Sequence, residues 1–300
     1  MPVVEIEAKS ILVKSKLPDT DYVVNPYTGC VFGCYYCYAS FAGRLVGEPV
    51  ANWGNYVYAK VNAVPLFETE LARLRRRGRA PSILLSSVTD AYQGAEKTYR
   101  LTRGILEALA REPYPGIVGI LTKSPLVLRD VALLAAIPRA HVGLTVTTTD
   151  DQLSRFLEVR APVASRRLET LAQLNAQGIT TYAFVGPLLP HFRYQPAALE
   201  ALFAELARAG TRSLYVEHIN LRPYIQQRLQ RALRSASPEV QAVYQGARTD
   251  EHRRVLDAMI ASLLAKHGLT LRLSRVLYHA DLSRSGSRRR GYGGSKRVRH

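Results

Sequence analysis

From residue 22 onward the chain alternates short continuous apolar runs with longer stretches in which apolar residues recur every third or fourth position. The runs at 22–25, 82–86, 116–121, 141–147, 179–185 and 213–218 predict strands of a buried sheet. The stretches between them predict helices over 63–77, 97–111, 126–136, 166–177 and 196–209. In the first helix Val64, Phe67, Leu71 and Leu74 share one stripe, Asn62 stands at the N-cap and Gly78 closes the end. Leu101, Ile105 and Leu109 point inward from the second, and Gly178 and Gly210 close the last two. A strand-like run at 56–61 is inserted ahead of the first helix, and residues 10–20 read as an irregular lead-in. Past residue 220 come helices over 223–234 and 249–267, then a strand-like piece at 270–273 that would edge the sheet. Strands alternating with helices predict a parallel sheet with right-handed crossovers. Six core strands are too few to close an eight-stranded barrel and suit an open one, an α/β partial (βα)6 TIM-type barrel. The expected division is a lead-in (1–21), the barrel core (22–220), a helical extension (221–284) and a Gly, Ser and Arg-rich tail (285–300) that is disordered on its own.

Composition narrows the class. At 300 residues and 47% hydrophobic, the chain can bury a full core. No run approaches eighteen apolar residues, so no membrane partner is expected. Glu5, Glu7 and Lys9 do not read as a secretory signal. The net charge of +17, from 41 Lys and Arg against 24 Asp and Glu, fits either a polyanionic partner or an arginine-rich solvated surface.

In barrels of this kind chemistry gathers at the C-terminal ends of the strands. Those ends carry residues 30–37, Ser86-Ser87-Val88-Thr89-Asp90, Thr122-Lys123-Ser124, Thr147-Thr148-Thr149-Asp150, Gly186-Pro187 and Glu217-His218-Ile219-Asn220. The first is the most telling, because all three cysteines of the chain fall in Asn25-Pro-Tyr-Thr-Gly-Cys30-Val-Phe-Gly-Cys34-Tyr-Tyr-Cys37-Tyr-Ala39. With small and turn-forming neighbours, such a loop can curl three sulfurs onto one point. Disulfides cannot use all three, and a structural zinc site wants four Cys or His ligands. Cys30, Cys34 and Cys37 suit a four-iron four-sulfur (4Fe-4S) cluster with its fourth iron open. Zinc and a simple electron-transfer cluster stay open as alternatives.

The spacing C-x3-C-x2-C with Tyr36 before the last cysteine resembles the radical S-adenosylmethionine (SAM) enzymes, and the wider run is similar to their spore photoproduct lyase-like branch. That resemblance implies a (βα)6 fold, a 4Fe-4S cluster whose open iron chelates SAM, and an electron donor such as flavodoxin or ferredoxin. An oxidation-sensitive cofactor and free thiols place such a protein in the cytoplasm. By the same resemblance Lys123 takes the methionine carboxylate, and Ser86, Ser87 and Thr89 stand where the amino group is held. Thr147 would meet the ribose, Tyr36 would support adenine, and Val185 and Gly186 would wall its other side. Tyr38, Asp90, Glu217 and His218 are the substrate-side candidates. Bland readings stand beside these: an exposed Lys123, Ser87 and Asp90 opening a turn, a Thr147 chosen for β-propensity, and a His218 held by structure alone. One departure is plain. The lyase uses a further cysteine near the end of its second strand to return hydrogen, whereas this chain has serines there, and Tyr36 and Tyr38 are the phenols that could serve instead. A nucleic-acid substrate is the first expectation, a peptide or small molecule the second, and a non-enzymatic metal-stabilised binding module the third.

Overall fold

The computed structural model describes residues 2–112 and 114–279; the tail expected over 285–300 lies outside them. Six parallel strands follow in sequence order: β1 (Tyr22–Val24), β2 (Ile83–Leu85), β3 (Val118–Thr122), β4 (Ala140–Thr145), β5 (Thr180–Leu188) and β6 (Ser213–His218). Val13–Lys14 flanks β1 antiparallel, and Thr270–Leu271 flanks β6 in parallel, so the sheet has two edges and stays an open barrel. Every residue of β4 except His141 is buried, which is why that strand shows no apolar/polar alternation. Outside the sheet, the helix Ala63–Arg76 buries Phe67, Leu71 and Leu74 against Leu101–Ala110, which contributes Ile105 and Leu109. Full burial of each such side chain stabilises the fold by about 1.5–3 kcal/mol. Gly78, Gly178 and Gly210 adopt the left-handed conformation past their helix ends, as the sequence predicts.

Several expectations are corrected. The lead-in is not irregular throughout. Besides Val13–Lys14, Val4–Ile6 pairs in parallel with Tyr58–Lys60, which pairs antiparallel with Tyr27–Thr28 in a separate small sheet. Asn62 makes no side-chain cap, because its amide is bonded to the backbone of Ala8 on that lead-in. The helix expected over 97–111 is two helices, Glu96–Tyr99 and Leu101–Ala110, broken at Arg100 with φ 50°. The break lets the buried Glu96 carboxylate accept from the Thr102 and Arg103 backbone N–H groups, capping the second helix. The stretch 126–136 opens as a 3-10 turn, Pro125–Asp130, and is α-helical only over Val131–Ala136. Finally, β5 runs on to Leu188, so Gly186 and Pro187 lie within the strand rather than beyond it. Among the described residues, the helical segments Tyr38–Val46, Val50–Asn52, Asp151–Glu158, Pro190–Arg193 and Pro238–Gly246 had no counterpart in the sequence reading.

Candidate active site at the strand ends

The cysteine loop leaves β1 and is clamped from two sides. On the first, the Asn25 carboxamide oxygen accepts from Ser87 N (2.9 Å) and Val88 N (3.0 Å), tying the loop to the end of β2. The Gly29 carbonyl accepts from Thr89 Oγ1 (2.6 Å) and from Nε2 of the fully buried Gln93 (3.1 Å), whose own oxygen accepts from Val31 N (2.9 Å). Gly29 has φ 89°, and a Cβ there would collide with the Tyr56 backbone, so only glycine fits. On the second side lies the turn after the helix Asp151–Glu158. Tyr35 N donates to Leu157 O (2.9 Å), Arg160 N to Phe32 O (3.1 Å) and Arg160 Nε to Val31 O (2.8 Å). Val159 sits in this turn with φ 47°, a conformation β-branched residues rarely adopt. It directs Glu158 inward and Arg160 onto the loop.

Glu158 is the centre of the polar interior here. It is fully buried and accepts from the Tyr36 hydroxyl, Ser154 Oγ (3.0 Å), Thr147 Oγ1 (3.3 Å) and the buried Arg167 guanidinium. Burial pushes its carboxyl up, but Arg167 and Lys123 outweigh that and hold it at about 2. The Lys123 ammonium lies 3.9 Å from Glu158 and 5.8 Å from the centre of the Tyr36 ring, with its side chain only 13% exposed. Lys123 is therefore not an ordinary surface lysine.

The structure distributes the other predicted residues between two roles. Asp90 accepts from Thr122 Oγ1 (2.6 Å) and Tyr92 N (2.9 Å) on one oxygen and from Lys123 N (2.8 Å) on the other, so it braces β2 against β3. Burial raises its carboxyl above the ordinary range, against the pull of those hydrogen bonds. Thr89 is bonded to the Gly29 carbonyl and Thr147 to Glu158. Ser86, buried with φ 72°, has a hydroxyl without a partner among the described residues, while the Ser87 hydroxyl accepts from Asn25 Nδ2 (3.2 Å). Val185 is fully buried, and the Phe184 ring fills the space beside Gly186. Tyr38 donates to the Ser87 carbonyl at the end of β2, and its phenol is held protonated by burial and by nearby Cys37 and Glu217. At β6, Glu217 lies 3.8 Å from His279 Nδ1, and His218 Nε2 lies 2.8 Å from Asp257 Oδ1. His218 borders an open cavity of about 560 Å³ with Arg253, Arg254, Asp257 and Tyr278.

Gln93, Glu158, Arg167 and Arg228 were not among the sequence candidates. For Glu158 a signal existed: Asp150 is an N-cap, accepting from Gln152 N and Leu153 N, ahead of apolar residues at helical spacing.

All three cysteines are free thiols. Burial pushes Cys34 up to about 12 although Lys123 opposes it, raises Cys30 well above its ordinary value beside Asp90, and raises Cys37 as well. The family model described as the Radical SAM superfamily matches residues 24–199, more than half of the chain and the whole cysteine loop. The chain belongs to the radical SAM superfamily. An uncharacterized protein of Methanocaldococcus jannaschii is 33% identical over 220 residues, covering 73% of this chain and 78% of that one. An uncharacterized protein of Mycobacterium tuberculosis is 29% identical over 280 residues, covering 88% and 81%. Among solved structures, spore photoproduct lyase complexed with dinucleoside spore photoproduct superposes with a TM-score of 0.64 at 17% identity, over 90% of this chain and 81% of that one. A mutant of that lyase with bound AdoMet and dinucleoside spore photoproduct gives 0.63 at 16% identity, with the same coverage. The fold of this radical SAM protein is thus lyase-like.

Membership brings a 4Fe-4S cluster and SAM as cofactors, and the residues fit them. Buried thiols hold their protons until a metal centre supplies the positive charge that displaces them. Buried polar atoms without partners among the described residues include Ser40 Oγ, Trp53 Nε1, Tyr56 Oη and Arg228 Nη1 around the loop, with Ser86 Oγ and Asn220 Nδ2 at the ends of β2 and β6. Such orphans are uncommon in a finished interior. Among the described residues no helix is long and apolar enough to cross a membrane.

Proposed function

We propose that Cys30, Cys34 and Cys37 hold the cluster and that the strand ends around them bind SAM for hydrogen abstraction from a nucleic-acid substrate. The observation that carries the cofactor half is Lys123, a nearly buried cation held over Tyr36 beside the three free thiols. When bound, the cluster would supply the electron for reductive cleavage of SAM, the chemistry that makes hydrogen abstraction from the substrate possible. Lys123 meets the methionine carboxylate, and Glu158 acts through it as a positioning residue, fixing the ammonium and the Tyr36 ring together. The unpartnered Ser86 hydroxyl, with the Ser87 backbone, accepts from the amino group. Val185 and Gly186 line the adenine side.

Asp90 and Thr89 take the role of braces in this reading, because their polar atoms are already engaged. Tyr38 faces the substrate with Glu217. All three cysteines are in the cluster loop, so no thiol remains to return hydrogen to a product radical. Of the two phenols, Tyr36 is bound into the Glu158 ion pair, whereas Tyr38 donates only to a neutral carbonyl, which leaves Tyr38 the better hydrogen donor. Thymine-dimer repair by the lyase's cysteine route is therefore not proposed. A nucleic acid is favoured over a peptide or small molecule by the +17 charge and by the likeness of fold to a lyase solved with a dinucleoside.

The test is anaerobic incubation with SAM, dithionite and deuterated DNA or RNA. Deuterium appearing in 5'-deoxyadenosine supports the reading. Turnover stimulated only by peptides or small molecules overturns the substrate, and absence of 5'-deoxyadenosine under every condition overturns the reaction.

A further inference from the structure

The helix Pro223–Ala232 lies outside the residues matched by the superfamily, yet it reaches the cysteine loop at two points one turn apart. Tyr224 donates its hydroxyl to Tyr38 O (3.0 Å), just after Cys37, and Arg228 Nη2 donates to Gly33 O (3.2 Å), just before Cys34. The two contacts bracket the second and third cysteines. Arg228 is 8% exposed, and its other terminal nitrogen, Nη1, is buried with no partner among the described residues. Among the described residues it forms no ion pair with a carboxylate, although its charge is felt at Cys37 and Cys34. A guanidinium is planar and always charged, so the bond to Gly33 fixes where Nη1 points. Burying such a charge with a free donor is unfavourable unless an anion stands beside it.

We infer that Arg228 is a positioning residue for the iron-sulfur centre: Nη1 donates to its thiolate or sulfide face, and the buried charge raises its reduction potential. A cation and a hydrogen-bond donor against the sulfurs both favour the reduced, more negative state. The C-terminal helix then sets how readily the cofactor accepts an electron, a property that the matched barrel alone does not determine. The inference rests on the assignment of Cys30, Cys34 and Cys37 to the cluster.

The test is an anaerobic potentiometric titration of the reconstituted protein without SAM, followed by electron paramagnetic resonance, on wild type, Arg228→Gln and Arg228→Lys. Arg228→Gln removes the charge and keeps an amide donor, whereas Arg228→Lys keeps the charge. At a fixed applied potential the ratio of reduced to oxidised cluster should fall about tenfold in Arg228→Gln, a shift of about 59 mV for one electron, with most of it restored in Arg228→Lys. Cluster loss in Arg228→Gln with iron retained in Arg228→Lys would equally support a charge requirement. Equal potentials in all three proteins, or cluster loss in both variants, would overturn the inference by reducing Arg228 to a packing residue. Failure of the underlying assignment is distinguishable, since wild type itself would then assemble no cluster.

Discussion

The two sides of the strand-end face are built differently. Around β1 to β4 the charged and amide side chains are buried and bonded to one another: Asp90 with Thr122 and the Lys123 backbone, Gln93 with Gly29 and Val31, Glu158 with Tyr36, Ser154 and Arg167; the atoms left over among the described residues are hydroxyls and an indole, Ser40 Oγ, Trp53 Nε1, Tyr56 Oη and Ser86 Oγ. Around β6 the pairs are looser and reach solvent. Asp257, which holds His218, has a side chain 46% exposed, Glu217 and His279 are 3.8 Å apart, and Asn220 Nδ2 has no partner. The closed side has the rigidity that a fixed cofactor geometry requires, and the open side has room for a molecule that must enter and leave. In the function proposed above, cofactor handling falls to the closed half of the rim and substrate choice to the open half.

The largest effect should come from the closed side. Glu158→Gln leaves the Arg167 guanidinium buried without its counter-ion, and should lower stability by about 3–5 kcal/mol in anaerobic chemical denaturation. The matched substitution on the open side, Asp257→Asn, should change it by about 1 kcal/mol or less, because solvent screens that pair. Equal losses at the two sites would break the comparison. Next in size is Lys123→Met, which should weaken SAM binding about ten- to a hundredfold, corresponding to about 1.5–3 kcal/mol for a charge-assisted contact, with little change in fold. Equilibrium binding of SAM to the loaded protein checks it, and unchanged affinity would return Lys123 to a structural role.

Smaller effects sharpen the open side. Burial holds His218 below its ordinary value of 6.5 against the pull of Asp257. A histidine that takes a proton less readily folded than unfolded contributes stability present above 6.5 and lost as pH falls through its lowered folded value. His218→Asn should therefore show a flatter fall in denaturation midpoint below pH 6.5 than wild type; parallel curves would remove His218 from the titration. For a nucleic-acid partner, log affinity should fall with log salt at a slope of roughly −4 if about five phosphates are neutralised. A flat salt dependence would remove the electrostatic motive for that substrate class.

The contrast also explains what could be read from the sequence. The six strands were legible because each is a short, largely apolar segment set between helical patterns, and the cysteine loop because three thiols crowd into one short motif. Lys123 was legible because a strand end places it. The lead-in strand Val4–Ile6 was not, since its pairing with Tyr58–Lys60 is made far along the chain by a largely exposed edge. The Asp150 cap signals the short helix that carries Glu158 but not the role of that glutamate, because its partners Tyr36, Thr147 and Arg167 meet it only in three dimensions. Asn62 misled because an N-cap residue type can bond elsewhere when a neighbouring strand offers backbone groups. At β6 the determining residues, Asp257, Tyr278 and His279, come from the C-terminal segment that runs back beside the strand, where Leu277 N donates to Val216 O and Leu277 O accepts from His218 N.

The most direct measurement is the electron paramagnetic resonance spectrum of the anaerobically reconstituted, dithionite-reduced protein, recorded before and after adding SAM. The account predicts a reduced 4Fe-4S signal whose line shape changes when SAM occupies the open iron, and no such signal in Cys30→Ala, Cys34→Ala or Cys37→Ala. A wild-type protein that gives no cluster signal, or one that SAM leaves unaltered, would contradict it.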